Sequence, residues 1–112
     1  MRVIYNRFIP FKGFAAINLF GIIFARHEFN PISWVVKNHE AIHTAQGREM
    51  LWLPFYLWYV LEWIFRLFQY RFNQMKAYEN ISFEREAFAN DKKPNYLQNR
   101  SFWSWINYLR VK

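Results

Sequence analysis

Between Met50 and Phe65 the chain reads MLWLPFYLWYVLEWIF, a run in which only Pro54 and Glu62 are not apolar. This run limits the fold more than any other stretch, because its rings must find cover inside a chain of only 112 residues. A span across a bilayer needs about 20 predominantly apolar residues, and the run falls short of that. From Glu62 onward a polar stripe appears at Glu62, Arg66, Gln69 and Asn73, with spacings of i, i+4, i+7 and i+11. The second half therefore reads as an amphipathic helix, and the first half as a helix apolar all round. Such a helix is central to a core, shared with a second copy, or dipped into a bilayer interface. Hydrophobic residues make up 54% and aromatics 23% of the sequence, more large rings than a small domain has interior to hold. The expectation is contact of Met50–Phe65 with a membrane surface or within a homo-oligomer.

Fifteen Lys and Arg against eight acids leave a net charge of +7, and the basic residues are scattered from Arg2 to Lys112. A nucleic-acid footprint gathers its charge into a stripe or patch, so nucleic acid is not the expected partner. Basic residues interleaved with aromatics suit an anionic membrane surface, or equally the plain solubility of an aromatic-rich protein. Without cysteine there is no disulfide and no thiolate ligand or nucleophile, which fits a reducing compartment. The expected location is cytoplasmic, either free or at the inner membrane surface. Arg2, Arg7 and Lys12 before the apolar Phe14–Ala25 run outline a signal peptide, but Asn18 and Gly21 interrupt the run and no small-x-small cleavage pattern follows it. The segment is read as structure.

No repeat or linker divides the chain, so residues 1–112 are expected to form one domain. Arg2–Ile9 is β-branched and aromatic and ends at Pro10 and a Lys12-Gly13 turn, the pattern of a strand. Phe14–Ala25 fits a buried strand or a buried helix; its Ile and Phe content favours a strand paired with the first. Asn30-Pro31 offers a helix start, and the helix is expected from Ile32 to Glu49. A third helix is expected over Ala77–Asn90, closed by Asp91-Lys92-Lys93-Pro94, and a last short one after Ser101, with Phe102, Trp105, Ile106 and Leu109 on one side. The class is α+β: a small domain with an N-terminal β-hairpin or small sheet followed by about four helices.

The expected second element of function lies in the first helix, where His39-Glu40-Ala41-Ile42-His43 is an H-E-x-x-H motif. Residues four apart stack on one helix face, so His39 and His43 can aim at one metal ion. Glu40 lies about 100° round the helix, beside the metal, where a general base would stand. A catalytic zinc takes three protein ligands and leaves a fourth position to water. His27 is the one remaining histidine, beside Glu28 in an expected loop. The metzincin layout asks for glycine at position 46 and histidine at position 49, where this chain has Gln46 and Glu49. In Phe83-Glu84-Arg85-Glu86-Ala87, by contrast, Glu84, Ala87 and Asp91 share one face, so a carboxylate can approach the metal beside a small residue. Glu79 and Glu86 are reserve ligands, more simply read as surface ion-pairing residues.

An H-E-x-x-H helix followed by a Glu-x-x-Ala helix resembles the gluzincin zinc metallopeptidases, especially the small single-domain minigluzincins and the core of the CaaX prenyl proteases. The resemblance rests on His39, Glu40, His43, Glu84 and Ala87 and covers about residues 14–91. The chain looks most like small bacterial zincin-like proteins with an Asn-His-Glu-x-x-His-x-x-Gln stretch, here Asn38 to Gln46. It implies a zincin-like domain in which His39, His43 and Glu84 bind Zn2+ and Glu40 is the catalytic base for hydrolysis of peptide bonds in a peptide or protein substrate. Gluzincins commonly place an acid directly after that Ala or Ser to orient a zinc histidine; here the position is Phe88, leaving Asp91 or Asn38 to take the role. Tyr78, Tyr96, Arg100 and His27 are the candidates for an oxyanion donor. The Phe14–Ala25 strand resembles the rim strand along which gluzincins bind substrate. The competing expectation is a non-catalytic zinc protein, membrane-associated or oligomeric, whose metal ties two helices together.

Overall fold

A computed structural model describes residues 3–10 and 14–109. The Lys12-Gly13 turn lies outside the described residues. Among the described residues the fold is α+β, a three-stranded sheet followed by five helices.

The strands are β1 (Val3–Asn6), β2 (Ala16–Leu19) and β3 (Ile22–Arg26) in the order β1-β3-β2. Phe14–Ala25 is thus not one strand. It folds back on itself at Phe20-Gly21, where both residues have positive φ, so β2 and β3 are the hairpin. β1 joins on the far side, parallel to β3, with Val3 opposite Ile23. β2 is left at the edge of the sheet. Ile23 and Ala25 of β3 are buried with Ile32 in a small core, against which Val3, Tyr5, Ala16 and Val36 pack.

Helix α1 runs from Trp34 to Glu49. Its cap is Ser33, whose hydroxyl accepts from the Val36 amide at 3.2 Å, rather than Asn30-Pro31. After Gly47 the chain turns through Leu51 and Trp52, both at positive φ, and lays the Trp52 ring over Gly47 so closely that a Cβ there would overlap it. Helix α2 (Leu53–Gln69) starts with Pro54 in its first turn. The expected third helix is two, α3 (Gln74–Glu79), capped by Asn73, and α4 (Ser82–Asn90). A short α5 (Tyr96–Asn99) and a 3-10 turn at Ser104–Tyr108 follow. In place of the expected amphipathic last helix, Trp105 is buried in that turn while Phe102 and Ile106 are exposed.

The main core is Phe55 of α2, Ile81, Phe83 of α4 and Trp105, with Tyr59 and Trp63 among the residues packed on it. Each such ring contributes roughly 1.5–3 kcal/mol on burial. In α2 the polar stripe of the amphipathic half turns inward. Glu62 and Arg66 of its polar stripe are buried, while Leu53, Leu57, Val60, Leu61, Ile64 and Phe68 are exposed. Glu62 is drawn inward because α4 has no cap of its own: its carboxylate accepts from the Ser82 amide (2.7 Å) and hydroxyl (2.5 Å) and pairs with Arg66 at 3.2 Å.

Candidate metal centre

α1 and α4 pack together, and the groups between them are polar. His39, Glu40 and His43 are all buried on α1, with ligand atoms within 4.8 Å of one another, a group that could hold a metal ion. Glu84 in the first turn of α4 reaches into the same point. Its Oε1 lies 2.9 Å from His39 Nε2 and 3.1 Å from His43 Nε2. One carboxylate oxygen and two imidazole nitrogens, from residues 45 and 41 positions apart, thus converge.

The outer nitrogens of the two rings decide what can sit there. His39 Nδ1 is 3.1 Å from Asp91 Oδ2, and His43 Nδ1 is 2.8 Å from Gln46 Oε1. Gln46 is fixed amide-outward, since its Nε2 donates to the Phe83 carbonyl and to Glu86 Oε1, each at 3.0 Å. Both Nδ1 atoms therefore face acceptors and carry the hydrogen. In the neutral rings Nε2 is then a bare lone pair, and both lone pairs point at a carboxylate oxygen. Three acceptors meeting in a buried space need a shared cation, either a proton on the rings or a metal ion.

The titration directions express the same demand. Burial opposes the charged form of His43, yet the Glu84 carboxylate and its hydrogen bond raise the ring to about 10. Burial likewise opposes ionisation of Glu84, but the His43 charge and hydrogen bonds to both rings outweigh it and hold the carboxyl well below the usual carboxylate range. Glu40 behaves oppositely. Its burial dominates the neighbouring His43 and His39 charges and pushes it up to about 7.

Asp91 stands one turn beyond Phe88 and faces His39, while Asn38 holds it there, donating to the Asp91 carbonyl at 2.9 Å and the Lys93 carbonyl at 3.1 Å. Phe88 packs its ring edge-on to His39, centroids 4.5 Å apart. Tyr78 borders a cavity of about 270 Å³ together with Glu40, His43 and Glu84. Burial, then the Glu84 charge, raises the Tyr78 phenol, which stays a donor. Tyr96, Arg100 and His27 border neither hollow that reaches Glu40. His27 is exposed in a 3-10 turn after β3. Tyr96 and Arg100 instead bind Glu86, at 2.5 and 2.6 Å, and Arg100 also pairs with Glu49 at 2.7 Å. Glu86 is 0% exposed, so it is not a surface residue, and it is not one of the clustered ligand groups; it is the anchor behind Gln46 and so behind His43. Glu79 is exposed.

Two side chains of the centre escaped the sequence reading. Tyr59 of α2 donates to Glu84 Oε2 at 2.7 Å, holding the second carboxylate oxygen away from the rings. The signal was a phenol inside an apolar helix, which must find a buried partner. Asn18 of β2 donates to the Glu40 carbonyl (2.7 Å) and to Thr44 Oγ1 (2.6 Å), fastening the edge strand beside α1. Comparison of the chain with family models, with curated proteins and with solved structures finds no match.

Proposed function

We propose that the chain is a small zinc metallopeptidase of the gluzincin type, with His39, His43 and Glu84 as ligands and Glu40 as general base. The observation that carries this reading is the meeting of two Nε2 lone pairs with one Glu84 oxygen, at 2.9 and 3.1 Å. Two imidazoles and a carboxylate are a donor set suited to zinc and leave a position open. Bound there, zinc would supply Lewis acidity, polarising a substrate carbonyl and bringing the pKa of water down to about 7.

The chain's own residues supply the rest. Glu40, buried beside the two rings, can accept a proton from the attacking water and deliver it to the leaving amine. Asp91 and Gln46 hold the two rings in one tautomer, and Tyr59 fixes the Glu84 carboxylate. Tyr78, which lines the cavity with Glu40, would be the donor for the developing oxyanion. β2 has one edge unpaired by any described strand and borders the same cavity, so an extended peptide can add to it. The Tyr56 hydroxyl accepts from the Phe20 amide at 2.9 Å and donates to the Asn18 carbonyl at 3.4 Å, which closes that edge at its Phe20 end and leaves Ala16 for substrate.

The test is zinc content by mass spectrometry together with cleavage of a peptide library. The wild type is expected to carry one zinc per chain and to cleave. Glu84→Ala should lose the metal, and Glu40→Ala should keep it while hydrolysis falls by about 10²–10⁴-fold. Full zinc in Glu84→Ala removes Glu84 as a ligand. Full zinc with no cleavage by the wild type favours a metal that only ties α1 to α4.

A further inference from the structure

The acids of this protein are turned inward. Among the described residues the exposed acids are Glu28 and Glu79, and Glu28 is tied to Arg26 at 2.8 Å. The others are consumed in the metal centre, the Glu62–Arg66 pair and the Arg100 network. Most of the described basic side chains are turned outward: Arg7, Lys37, Arg48, Arg71, Lys76, Lys92 and Lys93 are all exposed. The outer surface is therefore more one-sidedly cationic than the net charge of +7 conveys.

On that surface α2 presents an apolar face. Leu53, Leu57, Val60, Leu61, Ile64 and Phe68 follow one another at helical spacing, with Leu53 75%, Leu57 62% and Phe68 67% exposed. The one acid of the helix, Glu62, is on the buried side. Exposed Arg48 precedes the helix and exposed Arg71 follows it.

We propose that the outer face of α2 lies in the interface of an anionic lipid bilayer, parallel to its plane, with Arg48 and Arg71 against the headgroups. One observation selects this occupant over a second copy. In a two-fold pair of such faces, parallel or antiparallel, the basic ends of one helix meet basic ends of the other with no exposed acid on the helix to compensate. An anionic interface meets that need, since amphipathic helices bury an apolar face there and basic residues add attraction. Among the described residues no helix is long and apolar enough to cross a membrane, so the contact is with one leaflet. This inference stands apart from the metal centre.

The experiment is co-sedimentation of the full chain with vesicles of phosphatidylcholine alone or with about a third phosphatidylglycerol. Binding to the anionic vesicles is expected, at least about tenfold weaker to the neutral ones or in 0.5 M salt. The double variant Leu57→Glu/Leu61→Glu should lose at least about tenfold in vesicle binding, and Arg71→Glu several-fold, with unchanged circular dichroism, thermal midpoint and zinc content. Light scattering on the same samples should give monomers in each case. No binding of the wild type to anionic vesicles would overturn the proposal, as would a wild-type dimer that the double variant dissolves or vesicle binding that both variants leave intact.

Discussion

The two sides of α2 share apolar residues but not polar ones: Phe55 packs inward into the core beside a buried ion pair, while the outer side is apolar and open. Its inner side carries a carboxylate and a guanidinium, Glu62 and Arg66, that cap and brace α4, while its outer side carries leucines and phenylalanines in the open. On α1 the inner side is polar too, with His39, Glu40, His43 and Gln46 buried, but each of these has a defined partner or faces the cavity. The contrast teaches that in this molecule buried polarity does the positioning, and that apolar residues are as much surface as core. The helix that carries Glu84 owes its first turn to a carboxylate supplied by α2.

The largest expected effect breaks that contrast within one helix. Glu62→Ala removes the partner of buried Arg66 and the acceptor for Ser82, and should destabilise by about 3–5 kcal/mol in denaturant unfolding. Leu57→Ala, on the outer face, should stay within about 0.5 kcal/mol of the wild type. Equal losses at the two sites would mean that the outer face is packed against something in solution. Next in size is Asp91→Asn, which exchanges the carboxylate on His39 Nδ1 for a neutral group and should weaken zinc binding by about 10–100-fold in a competition titration with a chelating dye. An unchanged affinity would leave the His39–Asp91 contact without a part in holding the metal.

A smaller, graded effect should appear with pH. His43 is raised from 6.5 to about 10, so in the metal-free protein its contribution to stability is complete below pH 6.5 and lost as the pH rises through about 10. Glu40 is raised from 4.5 to about 7, so its protonated form also favours the native state, and that contribution is lost between pH 4.5 and 7. The melting temperature of chelator-treated protein should accordingly fall from mildly acidic pH towards pH 10. Zinc bound as proposed would require His43 neutral at Nε2 and would replace the proton, so the loaded protein should have the flatter profile. Parallel profiles would show that the metal does not occupy the place of that proton.

Much of the centre was legible because local spacing carries it. H-E-x-x-H on a helix with one buried face fixes two imidazoles, and Glu84 with Asp91 seven residues on fixes a carboxylate and its companion on one face of α4. What was not legible is long-range. The break between α3 and α4 at Asn80-Ile81 depends on Glu62, about twenty residues away, accepting from Ser82. Periodicity located the Glu62–Arg66 stripe but could not say that it faces inward, because a moment has direction on the helix and none in the fold. The Phe14–Ala25 run hid its turn because Phe20, not a polar residue, precedes Gly21 in it. Arg100 and Tyr96 read as free donors, since nothing in the sequence tells that Glu86 lies buried between them and Gln46.

The central claim, that His39, His43 and Glu84 hold one metal ion, is tested most directly by X-ray absorption at the zinc edge on the loaded protein and on Glu84→Ala. The expected wild-type spectrum has two imidazole nitrogens at about 2.0–2.1 Å together with oxygen ligands and no sulfur, and Glu84→Ala should leave no protein-bound zinc to measure. A sphere with a third imidazole, or a spectrum that Glu84→Ala leaves unchanged, would contradict it.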